Sequence, residues 1–171
     1  MKTMRMLLGV VVGFVVAGAM SAAGPDAKTN TWVEVIFQHP EKYMDVRDAF
    51  VGTEKGRDAI LTQLQDYLIR ETMTRVPDGQ KLTITFTDID LAGDYEPWHG
   101  GQMMDARVVK EIYPPKMDLE FKLIGADGKV IKEGKRQLRD LIFMAKPYIN
   151  RDDALHYEKA LLEDWLHKEF P

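Results

Sequence analysis

The chain has 171 residues, a formal net charge of -4 and no cysteine. Without thiols, disulfides, thiolate zinc sites, iron–sulfur clusters, a cysteine nucleophile and a cysteine-borne lipid anchor are all excluded. A net acidic chain also lacks the basic face that phosphate backbones and anionic bilayers require, so neither nucleic acid nor a lipid surface is an expected partner.

The chain opens on a leader. Lys2 and Arg5 precede an apolar run from Met6 to Met20, and the small residues Ser21, Ala22 and Ala23 follow. That run is 15 residues long, whereas a membrane-spanning helix takes about 20. The pattern is that of a secretory signal over residues 1–23, cut after Ala23 or after Ala19. Cleavage after Ala23 removes two cations and no acid, leaving 148 residues at a net charge of -6. The expected location is therefore periplasmic or secreted, with no membrane span after cleavage. Residues 24–31 read as a disordered arm. Residues 32–171 read as a single domain, large enough to bury about 68–70% of its unfolded surface.

Residues 32–37 are β-branched and aromatic, a strand. Residues 38–51 read as an irregular loop. Thr53 can cap a helix in which Ile60, Leu61, Leu64, Tyr67, Leu68 and Met73 recur at three- and four-residue steps. Pro77, Asp78 and Gly79 end it in a turn. Leu82, Ile84 and Phe86 alternate with threonines in a strand over 81–87, and a loop over 88–102 follows. Residues 106–113 predict a third strand, turned by Pro114 and Pro115. Residues 117–123 alternate apolar and charged positions, a fourth strand with one dry face. Residues 129–139 are lysine-rich with Gly134 inside, which suits an edge strand. Asn150 is the expected cap of a last helix running to Phe170. The order β-α-β-β-β-β-α predicts an α+β fold: a mixed, mostly antiparallel sheet with both helices on one face, and its first two strands parallel.

Three constellations could carry chemistry. Asp88, Asp90, Asp94 and Glu96 place four carboxylates within nine residues at a strand end. Their spacing approaches a calcium loop but fails at Ala92 and His99, and a strand rather than a helix precedes them. Alternation past Phe86 would also turn Asp88 and Asp90 inward and Ile89 and Leu91 outward, so a bulge or strand end near Asp88 is required. Trp98 and His99 sit on a glycine-rich loop and form either a binding tip or, as preferred, a segment folded onto the sheet. His99 with Met103 and Met104 could hold copper, although one nearby histidine is a sparse ligand set. Glu158 falls within an apolar helix stripe with Leu155, Leu161, Leu162 and Trp165, so burial calls for a cation, and Arg107, Arg136 or Arg139 could supply it. No nucleophile elbow, phosphate loop or dinucleotide fingerprint appears, and serine is nearly absent after the leader.

Four stretches together resemble an exported bacterial family known as domain of unknown function 3016: Phe37-Gln-His-Pro-Glu-Lys-Tyr-Met-Asp-Val46, Thr87-Asp-Ile-Asp-Leu-Ala-Gly93, Leu138-Arg-Asp-Leu141 and Tyr157-Glu-Lys-Ala-Leu-Leu-Glu-Asp-Trp165. The resemblance implies an exported single domain without an assigned activity. It directs attention to Tyr43, Asp45, Asp88, Asp90, Glu158 and Trp165. The Leu-Ala-Gly tripeptide suggests a positive φ at Gly93.

Three functions follow from these readings. The first is a non-catalytic binding or envelope-accessory domain that engages an envelope protein or small ligand through the edge strand and the 88–104 loop, without a cofactor. The second is a divalent-metal-dependent enzyme built on Asp88, Asp90 and Asp94 with His99. The third is metal handling through His99, Met103 and Met104.

Overall fold

A computed structural model describes residues 32–99, 104–146 and 152–171. The leader, the arm, Met103, Asn150 and the side chain of His99 lie outside the described residues. The elements are β1 (Val33–Phe37), α1 (Glu54–Thr72), β2 (Lys81–Asp90), β3 (Asp94–Tyr95), β4 (Arg107–Val108), β5 (Lys116–Ile124), β6 (Val130–Arg139) and α2 (His156–Glu169). The main sheet has the order β1-β2-β5-β6, and β3 pairs with β4 in a separate ribbon. The α+β class and mixed sheet expected of the sequence are present.

β1 and β2 are parallel neighbours, joined by the helical crossover α1. β2 with β5 and β5 with β6 are antiparallel. α1 packs against β1 and α2, and α2 packs against β6. The helices cover the face carrying Leu82, Ile84, Phe86, Leu119 and Phe121, all 3% exposed or less. Each such side chain contributes about 1.5–3 kcal/mol by leaving water. Thr53 caps α1 through its hydroxyl, which accepts from the Gly56 N–H at 2.9 Å. Leu64 and Leu68, one turn apart, are wholly buried.

The conflict near Asp88 is resolved by a bulge. Phe86 pairs with Leu119 and Asp88 with Asp118, so Thr87 is the extra residue. Beyond it Ile89 points inward opposite Met117, and both are buried. β2 therefore runs on to Asp90, three residues beyond its expected end.

Two elements differ from expectation. The strand over 106–113 shortens to Arg107–Val108. The chain then turns, with the Tyr113 N–H donating to the Lys110 carbonyl at 2.9 Å. That turn lets Lys110 and Tyr113 both reach the buried carboxylate of Glu96. α2 starts at His156, after the expected position, with no side-chain cap from Leu155. The carboxylate of Asp153 instead accepts from the Leu155 N–H and from Lys159, and holds the entry to the helix.

Candidate functional site

Strand directions decide where the loops go. β1 and β2 are parallel and end together, β5 begins there, and β6 ends there. The three long connections 38–53, 91–115 and 140–155 therefore leave one end of the sheet. The opposite end has only the short connections 73–80 and 125–129. Loops gathered on a rigid sheet are where function tends to sit.

At the loop end the buried carboxylates are largely engaged with one another's segments. Asp45 is 5% exposed. It accepts from Arg47 Nε at 2.8 Å and from Arg107 Nη1 at 2.8 Å. Arg107 also donates to the Gly93 carbonyl at 3.0 Å and lies 4.6 Å above the Tyr95 ring. The main chain of Asp45 bridges to β2, with N–H and carbonyl bonded to Ile89 and Leu91 at 3.1 Å each. Glu96 receives Lys110 on both oxygens at 2.7 Å. Gly93 has φ +81°, as its tripeptide suggested, and a Cβ there would meet the Val108 carbonyl oxygen at 2.8 Å. Only glycine fits that close approach without strain.

The predicted acid cluster does not assemble. Asp88 accepts from the Met44 and Ile89 N–H groups at 2.8 and 2.9 Å. Asp90 pairs with Lys116 at 2.8 Å. Asp94 accepts from the Tyr95 N–H at 2.7 Å and from Arg47 at 3.2 Å. Each carboxylate meets its own partners. Among the described residues no group of three or more histidines and acids is arranged to hold a metal ion. Trp98 does not fold onto the sheet, since it is 69% exposed, and Met104 is 40% exposed.

Glu158 is buried, at 1% exposure, but the expected ion pair does not form. Arg107 turns to Asp45, Arg136 to Glu169, and Arg139 lies nearest Asp118. The first turn of α2 holds Glu158 against the β2–β3 bend, where Oε1 accepts from the Ala92 N–H at 2.7 Å. Oε2 has no partner. Burial pushes the carboxyl above its ordinary range, against the opposing pull of the Ala92 N–H and the Arg107 charge. An acid so enclosed fastens α2 to the bend and is closed to substrate.

The second feature lies along the edge of the sheet. β6 has one neighbour, β5, so among the described residues its other side is free. α2 runs beside it, and a groove of 280 Å³ separates them. One wall is the continuous run 136–140. The other is a single helix stripe: Leu161, Asp164, Trp165, Lys168 and Glu169. Leu138, Leu161 and Trp165 supply apolar surface, and the buried indole nitrogen of Trp165 has no acceptor among the described residues. Gly134 leaves room for Arg136, whose Nη1 would lie 2.7 Å from an added Cβ. Arg136 thus reaches Glu169 at 2.6 Å, and Lys132 joins it at 2.8 Å. The Arg136 and Lys132 cations hold the Glu169 carboxyl down to about 2, although burial opposes them. Burial also disfavours the Lys146 ammonium, but Asp140 and Asp164 outweigh it and hold its pKa above the lysine range.

A larger depression, 360 Å³, lies on the uncovered sheet face. Its charges pair across the strands, Lys135 with Glu120 and Lys122 with Glu133. It borders β6 as well, through Glu133, Gly134 and Lys135, but no helix residue lines it.

The sequence marked Trp165, Gly134 and the edge strand separately. It missed the groove, Lys146, Lys168 and Glu169. The three- and four-residue steps from Leu161 through Asp164 to Lys168 put one helix stripe in view, but nothing local says that this stripe faces the edge.

Residues 31–168 match the sequence model of a family described as protein of unknown function (DUF3016). No curated protein and no solved structure matches the chain. No helix among the described residues is long and apolar enough to cross a membrane.

Proposed function

We propose, from the premise that the chain belongs to the family described as protein of unknown function (DUF3016), that it is a non-catalytic binding domain that takes an extended segment of a partner protein as an added strand along β6. One observation carries the reading: a free strand edge and a helix enclose a groove with apolar surface. An edge strand offers unpaired N–H and C=O groups, which an extended chain satisfies over its whole length. Alternate side chains of the guest then turn toward the groove and meet Leu138, Leu161 and Trp165, while the others turn to the wet face.

An exported location belongs to the same proposal. It rests on the leader over residues 1–23, with Lys2, Arg5 and the apolar run to Met20. Fractionation that recovers the chain outside the cytoplasm with the leader removed supports it. Full-length chain confined to the cytoplasm contradicts it.

Amide hydrogen exchange tests the binding mode. The folded protein is mixed with a pool of extended decapeptides of varied charge. The expected result is slowed exchange on the free side of β6, residues 130–139, with the loop end unchanged. Slowed exchange confined to 91–113, or none anywhere, overturns the reading.

A further inference from the structure

Resting on strand addition at β6, we infer that the groove selects an acidic segment carrying an apolar side chain, and that the charge of β6 bars a second copy of this chain from the same place. The groove walls hold four cations, Arg136, Arg139, Lys146 and Lys168, and three acids, Asp140, Asp164 and Glu169. The acids are all taken. Glu169 has Arg136 and Lys132. Asp140 and Asp164 share Lys146, each at 2.6 Å. The cations are not all taken. Lys168 makes no ion pair among the described residues, and the nearest carboxylate to Arg139 is Asp118 at 3.9 Å. Lys168 stands on the helix wall of the groove, while Arg139, one step past the inward Leu138, turns to the uncovered face of the sheet beside Asp118. Carboxylates on a guest strand find Lys168 where they turn into the groove and Arg139 where they turn to the uncovered face, and a cationic guest finds no open acid in the groove.

The apolar surface between them sets the second requirement. Leu138, Leu161 and Trp165 offer no charge, so the side chain placed over them must be apolar or leave polar groups unpaired. The Trp165 indole N–H, without an acceptor among the described residues, lies beneath this surface and not on it.

Self-pairing meets an obstacle in the strand itself. β6 carries Lys132, Lys135, Arg136 and Arg139 against one acid, Glu133. An antiparallel copy centred on Gly134 sets Lys132 opposite Arg136 twice on the groove side, against two Glu133–Lys135 pairs on the solvent-washed face. A shift by one residue sets Lys132 opposite Lys135. Like charges directly opposite each other destabilise a strand pair.

The test uses three decapeptides on one Val/Thr/Leu framework that differ only in carrying Glu, Gln or Lys at the same positions. The protein is the Trp32→Phe, Trp98→Phe variant, in which Trp165 is the remaining indole and reports on the groove. The Glu peptide is expected to bind about tenfold or more tighter than the Gln peptide, and the Lys peptide weakest. Raising salt from about 0.05 to 0.5 M should narrow the gap. Arg139→Glu with Lys168→Glu, two exposed side chains, should reverse the order while circular dichroism stays that of the parent. Equal affinities for Glu and Gln peptides, with β6 protected from exchange, overturn the charge selection and leave strand addition standing. Binding without protection of β6, or no binding by any of the three, overturns strand addition as well. Sedimentation that finds a dimer lost on Gln137→Pro overturns the exclusion of a second copy.

Discussion

Glu158 opens α2 and Glu169 closes it, both are buried, and their surroundings differ. Glu158 has one main-chain donor, no cation in contact and a raised pKa. Glu169 has Arg136 and Lys132 and a pKa of about 2. Near Glu158 the 38–53 and 91–115 loops are joined through Asp45 and Arg107, and the 91–115 loop is held on itself through Glu96 and Gly93. Beside Glu169 lies a strand edge without a partner among the described residues, with Lys168 free of an ion pair there on the groove side. The contrast separates a closed scaffold from an open surface. Polar groups at the loop end mostly face inward and hold segments together, while those of the groove are matched only in part.

The comparison breaks if the loop end proves dispensable for folding. Asp45→Ala leaves Arg47 and Arg107 without their shared carboxylate, and removing one side of a buried pair costs about 3–5 kcal/mol. Denaturant unfolding should register that loss, while groove affinity of the folded fraction stays unchanged. Gly93→Ala comes next. Its positive φ and its approach to the Val108 carbonyl predict a loss of about 1–3 kcal/mol by the same measurement.

The two glutamates sharpen the comparison through pH. The folded pKa of Glu169 lies below its unfolded value of 4.5, so its contribution is present above 4.5 and lost as pH falls toward about 2. Arg136 and Lys132 are more than a third exposed, so Glu169→Gln should cost only about 1–2 kcal/mol at neutral pH. The cost should vanish in acid. Glu158 has the opposite sign. Its folded pKa is raised, so its stabilisation relative to Glu158→Gln is complete below 4.5 and declines as pH rises through the folded value. The difference between parent and variant should change by at most about 1.4 kcal/mol per pH unit, and only on the alkaline side. Thermal unfolding of both variants between acid and neutral pH reads the two slopes. Parallel slopes would erase the distinction between the ends of the helix.

Much of this was legible in the sequence where one residue type answers to one local rule. The inward and outward alternation of Leu82, Ile84, Phe86 and then Ile89 demanded a bulge, and Thr87 provides it. Spacing put Glu158 in the apolar stripe of α2, and the lysines of 129–139 marked an edge. What failed needed distant partners. Val108, Val109 and Ile112 read as strand, but Lys110 and Tyr113 are drawn to Glu96 and the chain turns away. Helix periodicity says which face Glu158 occupies and not which cation faces it, so Arg107 was a reasonable candidate until Asp45 claimed it. Asp88, Asp90 and Asp94 are close in sequence, yet the bulge and the β2–β3 bend send each to different donors.

The account turns on an intermolecular strand at β6. The most direct measurement is a set of nuclear Overhauser contacts between a bound Glu decapeptide and isotope-labelled protein. The account predicts backbone-to-backbone contacts from the peptide to residues 130–139 in one register, with an apolar peptide side chain against Trp165. Contacts confined to the exposed Trp98 and Ile112, with no backbone pairing to β6, would contradict it.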